Sequence, residues 1–256
     1  MSLVELEPAR NGVFILSLNR PEKRNAMNAE LLEELGIQLG TAFAAAACRA
    51  IVITGRGGTF TVGGDVDTIG AQSMLDTRAR LLRNQQVVRQ LATGPKPVIA
   101  AVESLCFGFG MSIVAMADHA VARAGTKFGS AFSKIGLIPD GGLMWSLPLK
   151  VGFREAKRMI TFGETIDASK ALDIGLVDEV VETDVLERSI AAAERFSALA
   201  PASIAFTRSA FARVWEGLET SLAIELDMQP VLLQTADFQE GVAAIREKRL
   251  PSFNGN

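Results

Sequence analysis

The sequence is poor in the residues that build many common catalytic centres. Its 256 residues include one histidine, two cysteines and no tyrosine. A single histidine argues against a multi-histidine metal site and leaves any serine–histidine–acid triad dependent on His119 alone. Because His119 opens an apolar, strand-like stretch, a structural role is favoured for it. The chemistry is therefore expected to come from carboxylates or from the backbone.

Other absences narrow the setting. Cys48 and Cys106 form neither a disulfide framework nor a CxxC metal site, and their apolar neighbours indicate buried thiols. A formal net charge of -3 offers no general attraction to nucleic acid or to an anionic membrane. The first residues lack the pattern of a signal peptide, and the longest uncharged run, between Glu103 and Asp118, is too short to span a bilayer. We expect a soluble, cytoplasmic protein with no metal and no redox cofactor.

The hydrophobic pattern predicts alternating strands and helices in the first part of the chain. Hydrophobic residues make up 48% of the sequence, enough for a sizeable core. Predicted strands lie at 13–18, 50–54, 97–102 and 120–124, and predicted helices follow Asn28 and lie at 75–91 and 111–117. Beyond residue 153 helices dominate, at 202–215, 218–233 and 237–248, with one predicted strand at 176–181. This order is typical of an α/β fold with a helical C-terminal region.

Two glycine-rich segments carry the strongest local signals. Residues 58–63 have P-loop spacing, but Gly64 and Asp65 stand where lysine and serine or threonine are required. Gly108 and Gly110 lack the third glycine of a dinucleotide fingerprint. Both segments place small residues where a strand leads into a helix, so that unpaired backbone N–H groups and the helix dipole favour negative charge. Taken alone, each is more often only a tight turn, and spacing by itself favours that interpretation; together the two segments could bind one oxygen.

At this point the chain resembles the crotonase (enoyl-CoA hydratase/isomerase) superfamily, along its whole length. The residues that carry the resemblance are five motifs in order: LNRPEKRNAM at 18–27, ITG and FTVGGDV at 53–55 and 60–66, KPVIAAV with GFG at 96–102 and 108–110, GLIPDGG at 136–142, and FQEG, EKR and Phe253 near the end. One such motif is moderate evidence, whereas five in the right order are strong evidence.

The resemblance implies an α/β fold, a crotonase-type spiral of repeated ββα units. It implies a catalytic core at 1–195 and a helical C-terminal region at 196–256 for trimerisation and closure of the site. The implied substrate is an acyl-CoA thioester, and the implied assembly is a homotrimer or homohexamer. The oxyanion donors would be the N–H groups of Gly64 and Phe109, and matching coenzyme A positions are Arg24, Ala26, Val62, Gly64, Val66 and Lys248. Without the resemblance, Arg24 and Lys248 would be interpreted as solvated surface charges.

The reaction is less clearly specified than the family. Hydratases of the superfamily use two glutamates, and the matching positions hold Ser112 and Phe132, neither of which is a carboxylate. The remaining candidate is Asp140, which by itself belongs to an ordinary turn sequence. The segment around it resembles the isomerases of the phenylacetate-degradation branch, in which an aspartate at this position acts on the acyl chain. We therefore predict an enoyl-CoA isomerase with Asp140 as the acid/base.

Other interpretations stay open on the sequence. One is an enoyl-CoA hydratase with an unconventional base, and another uses Asp140 as a nucleophile, as in the aroyl-CoA dehalogenases of the superfamily. A third is a non-catalytic relative that binds acyl-CoA or RNA, although the acidic charge balance argues against RNA. The retained glycines and Asp140 argue against a degenerate site.

Overall fold

A computed structural model describes residues 2–68, 70, 73–199, 201–214, 217–219, 222, 226, 230, 233–249 and 251. Trp215, Phe253 and most of the helix predicted at 218–233 lie outside the described residues. The described chain forms a larger sheet, a smaller sheet and a set of surrounding helices.

The strands fall into two sheets. The larger has the order β1-β2-β3-β4-β6-β9 and the smaller has the order β5-β7-β8. The strands are β1 (Val4–Pro8), β2 (Val13–Leu18), β3 (Ala50–Gly55), β4 (Val98–Val102), β5 (Leu105–Phe107), β6 (His119–Arg123), β7 (Lys127–Gly129), β8 (Thr165–Asp167) and β9 (Glu179–Val181). All neighbours in the larger sheet are parallel except the antiparallel pair β1 and β2.

The helices connect these strands and form the C-terminal region. They are α1 (Ala29–Ala44), α2 (Met74–Thr93), α3 (Phe109–Met116), α4 (Leu143–Val151), α5 (Phe153–Phe162), α6 (Ala168–Asp173), α7 (Val185–Ser197), α8 (Pro201–Val214) and α9 (Ala236–Glu247). Asn28 begins α1 as predicted, since its side chain accepts a hydrogen bond from the Leu31 N–H at 3.0 Å. Ser73 caps α2, since its side chain accepts from the Asp76 N–H, whereas Asp65 accepts from the Asp67 N–H in a turn that precedes this helix.

Successive residues of the parallel strands face opposite sides of the larger sheet. Ile51 and Ile53 belong to the main core, whereas Val52 packs in the cluster that includes Val185 and Ile190 of α7. Every residue of β4 is buried. A parallel sheet covered on both faces requires such continuous apolar strands, which is why these segments were readable as strands in the sequence.

The connections form the predicted spiral. Thr61 pairs with Cys106 of β5 in a parallel bridge, so that it extends the smaller sheet. Each turn therefore adds one strand to each sheet and then a helix: β3, Thr61 and α2; β4, β5 and α3; β6, β7 and α4. The predicted α/β fold class and its repeated ββα units are confirmed. The division of the chain into a core at 1–195 and a separate region at 196–256 stays a prediction.

The C-terminal helices are attached to the core by charged side chains. Arg208 of α8 pairs with Asp118 and donates to the carbonyl oxygens of Gly94 and Leu91 at 2.8 and 2.7 Å. Arg246 of α9 pairs with Asp67 at 3.1 Å. These contacts fix α8 against the C-terminal end of α2 and α9 beside the loop that follows Gly64.

Candidate active site

The segments that carry Gly64 and Phe109 lie side by side. Because Thr61 and Cys106 are paired, the residues that follow each of them leave the smaller sheet at the same edge. A Cβ atom built on Gly108 would be 3.3 Å from the Gly63 Cα atom and 3.7 Å from the Gly64 nitrogen. Among the described residues, no acceptor takes the N–H of Gly64 or of Phe109. Phe109 is the first residue of α3, so the positive end of the helix dipole adds to its donor.

Gly63 explains why the first of these segments is glycine-rich. Its φ is +91°, and a Cβ atom there would lie 2.9 Å from the Phe107 carbonyl oxygen. A side chain would therefore be strained and would push the two segments apart. The Gly63 carbonyl accepts from the Met27 N–H at 2.8 Å, and the Asp65 N–H donates to the Met27 carbonyl at 3.0 Å. This pairing fixes Gly64 between two hydrogen-bonded neighbours.

Asn25 stabilises the Gly64 segment through hydrogen bonds of its side chain and its backbone. Its side chain accepts from the Arg20 N–H at 2.8 Å and donates to the Thr59 carbonyl at 2.6 Å. Its carbonyl accepts from the Thr61 hydroxyl at 2.6 Å, and that hydroxyl accepts from the Gly63 N–H at 3.0 Å. Asn25 is fully buried, so these bonds are shielded from water. The first motif of the sequence thus supports the backbone around Gly64.

Asp65 has a structural partner that sequence reasoning missed. Its carboxylate pairs with the Arg20 guanidinium at 2.5 Å and accepts from the Asp67 N–H at 3.2 Å. Arg20 also donates to the Ala26 carbonyl at 3.0 Å. Asp65 is buried and Arg20 nearly so, which makes the pair a clamp between the first motif and the Gly64 segment. The sequence does contain Arg20 in its first motif, but sequence spacing alone does not show that Arg20 and Asp65 form an ion pair.

A cavity of about 450 Å³ lies in front of the two backbone donors, within the usual range for small-molecule sites. Six of the predicted site residues line it: Ala26, Val62, Gly64, Val66, Phe109 and Asp140. Arg24 and Lys248 do not line it; both are exposed. The cavity therefore brings together the predicted oxyanion donors and the predicted acid/base, and leaves the two predicted basic residues outside.

Asp140 reaches the cavity from the third turn of the spiral. It is half-buried and precedes Gly141 and Gly142, the second of which is the N-cap of α4. Gly141 has a φ of +65°, and a Cβ atom there would be 2.7 Å from the Phe109 ring. The turn therefore holds Asp140 beside the ring of the residue that supplies the second backbone donor.

The two positions that match the family glutamates differ in their surroundings. Phe132 lines the cavity. Ser112 is fully buried and lies behind the cavity against Gly141, and its hydroxyl has no hydrogen-bond partner among the described residues. Ser130 does line the cavity, and its hydroxyl too is buried without a hydrogen-bond partner in the described chain. Sequence reasoning did not identify Ser130.

Two further polar residues line the cavity and were also missed. Arg80 and Asn84 lie one turn apart on α2, and Asn84, Phe109 and Asp140 also enclose a much smaller cavity behind the first. Burial lowers the pKa of Arg80, while the negative charge of Asp140 acts in the opposite direction. The sequence does show two polar residues four positions apart on a predicted helix. Polar residues at that spacing also occur on solvent-exposed helix faces, so the spacing alone does not indicate a cavity.

The charged groups of the cavity are few. Two carboxylates line it, Asp65 and Asp140, together with two cations, Arg80 and Lys134. The described residues contain no group of three or more histidine, cysteine, aspartate or glutamate side chains placed to hold a metal ion. Over the same part of the chain, no helix has the length and apolarity needed to cross a membrane.

A spiral of ββα units with two backbone donors at one edge defines a crotonase-type enzyme, and comparison with known proteins identifies the family. Residues 8–256 match the family model for enoyl-CoA hydratase/isomerase. A Rhodobacter capsulatus protein named "Probable enoyl-CoA hydratase" is 38% identical over 95% of both chains. The 1,2-epoxyphenylacetyl-CoA isomerase of Escherichia coli is 34% identical over 98% of both.

A solved structure agrees with these sequence comparisons. The enoyl-CoA hydratase of Mycobacterium avium subsp. paratuberculosis superimposes with a TM-score of 0.88 and 29% identity, over 98% of each chain. The chain therefore belongs to the enoyl-CoA hydratase/isomerase family, and it is an enzyme of the crotonase superfamily.

Proposed function

We propose that this enzyme is an enoyl-CoA isomerase that moves a double bond along the acyl chain of a coenzyme A thioester. The observation that carries the proposal is the meeting of Gly64, Phe109 and Asp140 in one cavity. The relative from Escherichia coli, by name an isomerase of a coenzyme A thioester, supports isomerisation as the class of reaction.

The backbone N–H groups of Gly64 and Phe109 would hold the thioester oxygen. Removing a proton from the carbon next to the thioester places negative charge on that oxygen. Donors fixed in advance around a developing oxyanion contribute about 3–4 kcal/mol each to transition-state stabilisation. Both N–H groups are without acceptors in the described structure, so no internal bond has to break before the substrate binds.

Asp140 would carry the proton. Of the two carboxylates in the cavity, Asp65 is bound by Arg20 at 2.5 Å and forms part of the scaffold. Asp140 would take a proton from one side of the double bond of a 3-enoyl thioester, giving a dienolate. It would then return that proton two carbons further along, giving the 2-enoyl product. The net reaction neither consumes nor releases a proton, so a single carboxylate is sufficient.

The coenzyme A portion would extend from the cavity toward the basic surface beside it. Ala26, Val62 and Val66 provide an apolar lining next to the Gly64 donor. The Arg24 carbonyl accepts from the Val62 N–H at 3.2 Å, which places the exposed Arg24 beside this lining. Lys248 ends α9, whose Ile245 also lines the cavity. We propose that Arg24 and Lys248 contact the phosphates of coenzyme A from outside the cavity.

A hydratase is the second candidate. The unpartnered Ser130 hydroxyl in the cavity could hold a water molecule, and the relative from Rhodobacter capsulatus carries a hydratase name. Against this, hydration in the family requires two glutamates, and Phe132 cannot orient water. We therefore place hydration second.

The experiment that separates the two candidates supplies 3-enoyl-CoA and 2-enoyl-CoA to the wild-type enzyme in separate reactions. The proposal predicts conversion of the 3-enoyl to the 2-enoyl thioester, and little formation of 3-hydroxyacyl-CoA. Rapid hydration of the 2-enoyl substrate without isomerisation would reject the proposal in favour of the hydratase. Binding without conversion of either thioester would instead support a non-catalytic acyl-CoA-binding protein.

The remaining properties are proposed on the same basis. The proton transfer through Asp140 needs neither a metal nor a redox cofactor, so none is proposed. We further propose a cytoplasmic homotrimer or homohexamer with no nucleic-acid partner, in keeping with the net charge of -3.

A further inference from the structure

Arg80 lines the cavity, and its guanidinium has no close partner among the described residues. Its Nε atom is buried and has no hydrogen-bond acceptor, and no ion pair joins the side chain to another described residue. Other arginines near the site differ in this respect: Arg20 is bound by Asp65, and Arg246 is bound by Asp67. Arg80 is therefore a half-buried cation in the cavity that the described protein leaves without a partner.

Such an arrangement is costly unless the site is filled by an acceptor. A guanidinium removed from water loses hydration, and burial lowers the pKa of Arg80 for this reason. The negative charge of Asp140 compensates only in part, because it acts electrostatically and not through direct contact. The same helix carries Arg83, whose like charge adds to the cost.

The donor pattern indicates the shape of the acceptor. The guanidinium offers parallel N–H groups that match the two oxygens of a carboxylate. Asn84, one turn along α2, lines the same cavity and has an amide that can donate to the same group. Asn84 also borders the smaller cavity beside Leu81, Val88 and Phe109, so its surroundings there are mostly apolar. A plain hydrocarbon chain would leave both polar groups unsatisfied.

We propose that Arg80, assisted by Asn84, binds a carboxylate at the far end of the acyl chain, so that the substrates are thioesters of dicarboxylic acids. This inference rests on the proposed function, since it assumes that the acyl chain enters the cavity from the Gly64 and Phe109 donors. It concerns substrate selection, and Asp140 keeps its role in proton transfer.

The test compares adipyl-CoA with hexanoyl-CoA, two unreactive thioesters that have the same chain length and differ in the terminal carboxylate. Their dissociation constants are measured by titration calorimetry with the wild-type enzyme and with Arg80→Met and Arg80→Gln. We expect the wild type to prefer adipyl-CoA by about tenfold or more, the range for a hydrogen-bonded charge. Both variants should lose that preference.

Arg83→Met is the matched control, because Arg83 is an exposed arginine on the same helix outside the lining of the cavity. It should retain the preference for adipyl-CoA. Equal affinities in the wild type would overturn the inference, and so would a preference that survives in both Arg80 variants.

Catalysis distinguishes this failure from failure of the proposed function. Wild-type isomerisation of 3-hexenoyl-CoA together with equal affinities would reject only the role of Arg80. Absence of isomerisation with both 3-hexenoyl-CoA and its ω-carboxylate counterpart would reject the isomerase itself. In that case, a wild-type preference for adipyl-CoA that both Arg80 variants lose would still assign the carboxylate site to Arg80.

Discussion

Gly141 shows how a residue without a side chain shapes the part of the cavity that contains Asp140. Its φ of +65° is a conformation that glycine adopts without strain, and the space where a Cβ atom would sit is filled by Phe109 and Ser112. The glycine thus lets Asp140 and the Phe109 ring approach each other. A side chain at this position would strain the left-handed backbone and would also clash with Phe109 and Ser112.

Gly141→Ala should therefore destabilise the protein by more than backbone strain alone. The left-handed conformation costs a non-glycine residue about 1–2 kcal/mol, and overpacking adds about 1–3 kcal/mol. Gly125→Ala is the control, since Gly125 has a φ of +83° with nothing within 4 Å of the added atom. Urea unfolding of both variants measures the difference. An equal loss of unfolding free energy in the two variants would show that the Phe109 ring moves aside for the added methyl group at no cost.

Some residues of the cavity could be predicted from the sequence, and others could not. Gly64, Phe109 and Asp140 were predictable because motifs give the backbone conformation and position of each. Arg80 and the pairing of Arg20 with Asp65 were not, because they depend on how distant segments pack. A charged residue on a helix has the same local pattern whether it faces solvent or a cavity.

At the scale of elements, Arg208 connects α8 to the core. Its side chain is buried, pairs with Asp118 and donates to two carbonyl oxygens at the end of α2. Asp118 also accepts from the Val98 N–H at 2.7 Å, so the same carboxylate is shared between helix and sheet. Arg208 therefore connects three acceptors, the Asp118 carboxylate and the carbonyl oxygens of Leu91 and Gly94, to α8.

Arg208→Met should cost about 3–5 kcal/mol, because it leaves the Asp118 carboxylate without its cationic partner and removes the side-chain donor to two carbonyl groups. Arg195→Met, an exposed arginine on α7, serves as the control and should change stability little. Chemical denaturation monitored by circular dichroism gives both values. A loss no larger than that of the control would mean that α8 is held by its apolar contacts.

The strand β9 supplies a prediction that depends on pH. The hydrogen bond from Arg188 lowers the pKa of Glu179, and His119 contributes a second bond at 3.0 Å. Because the folded pKa is lowered, the stabilisation is present above the ordinary glutamate value of 4.5 and is lost as the pH falls through the folded value.

Glu179→Gln should thus reduce the free energy of unfolding by up to about 1 kcal/mol at neutral pH, the range for an ion pair near the surface. The difference from wild type should shrink as the pH falls below 4.5. Glu182→Gln, at an exposed position three residues further on, is the comparison. A difference that stays constant between pH 7 and pH 3 would rule out the ionised carboxylate as its source.

Elements differed in how well the sequence predicted them. The buried parallel strands agree with the predictions within one residue or so, because a strand covered on both faces must be apolar throughout. The short strands β5, β7 and β8, each three residues long, were missed. They have too few residues to show an alternation, and their pairing is fixed by the spiral. Yet β5 is the strand that brings Phe109 beside Gly64.

For the molecule as a whole, the exposed aromatic side chains indicate a surface that is buried when copies of the chain associate. Among the described residues, four phenylalanines are largely exposed in the single chain: Phe153, Phe162, Phe206 and Phe211. Aromatic side chains are enriched at protein–protein interfaces relative to the rest of the surface. This pattern supports the homotrimer or homohexamer that the family resemblance implies.

We predict a mass in solution of three or six times the 27.3 kDa of the chain. Sedimentation equilibrium or light scattering after size exclusion measures it directly. The assembly should persist at high salt, because apolar contacts are not screened. A mass equal to one chain at micromolar concentration would contradict the prediction and leave the four phenylalanines exposed in solution.

The central claim is that Asp140 moves the proton while the backbone of Gly64 and Phe109 holds the oxygen. Its most direct test is the rate of conversion of 3-enoyl-CoA by wild type and Asp140→Asn, with Asp173→Asn, exposed on α6, as the control. We predict that Asp140→Asn lowers kcat by about 10²–10⁴-fold, as expected for loss of a general acid/base, while its affinity for a saturated acyl-CoA is retained. Isomerisation by Asp140→Asn at the wild-type rate would remove Asp140 from the mechanism and contradict the account.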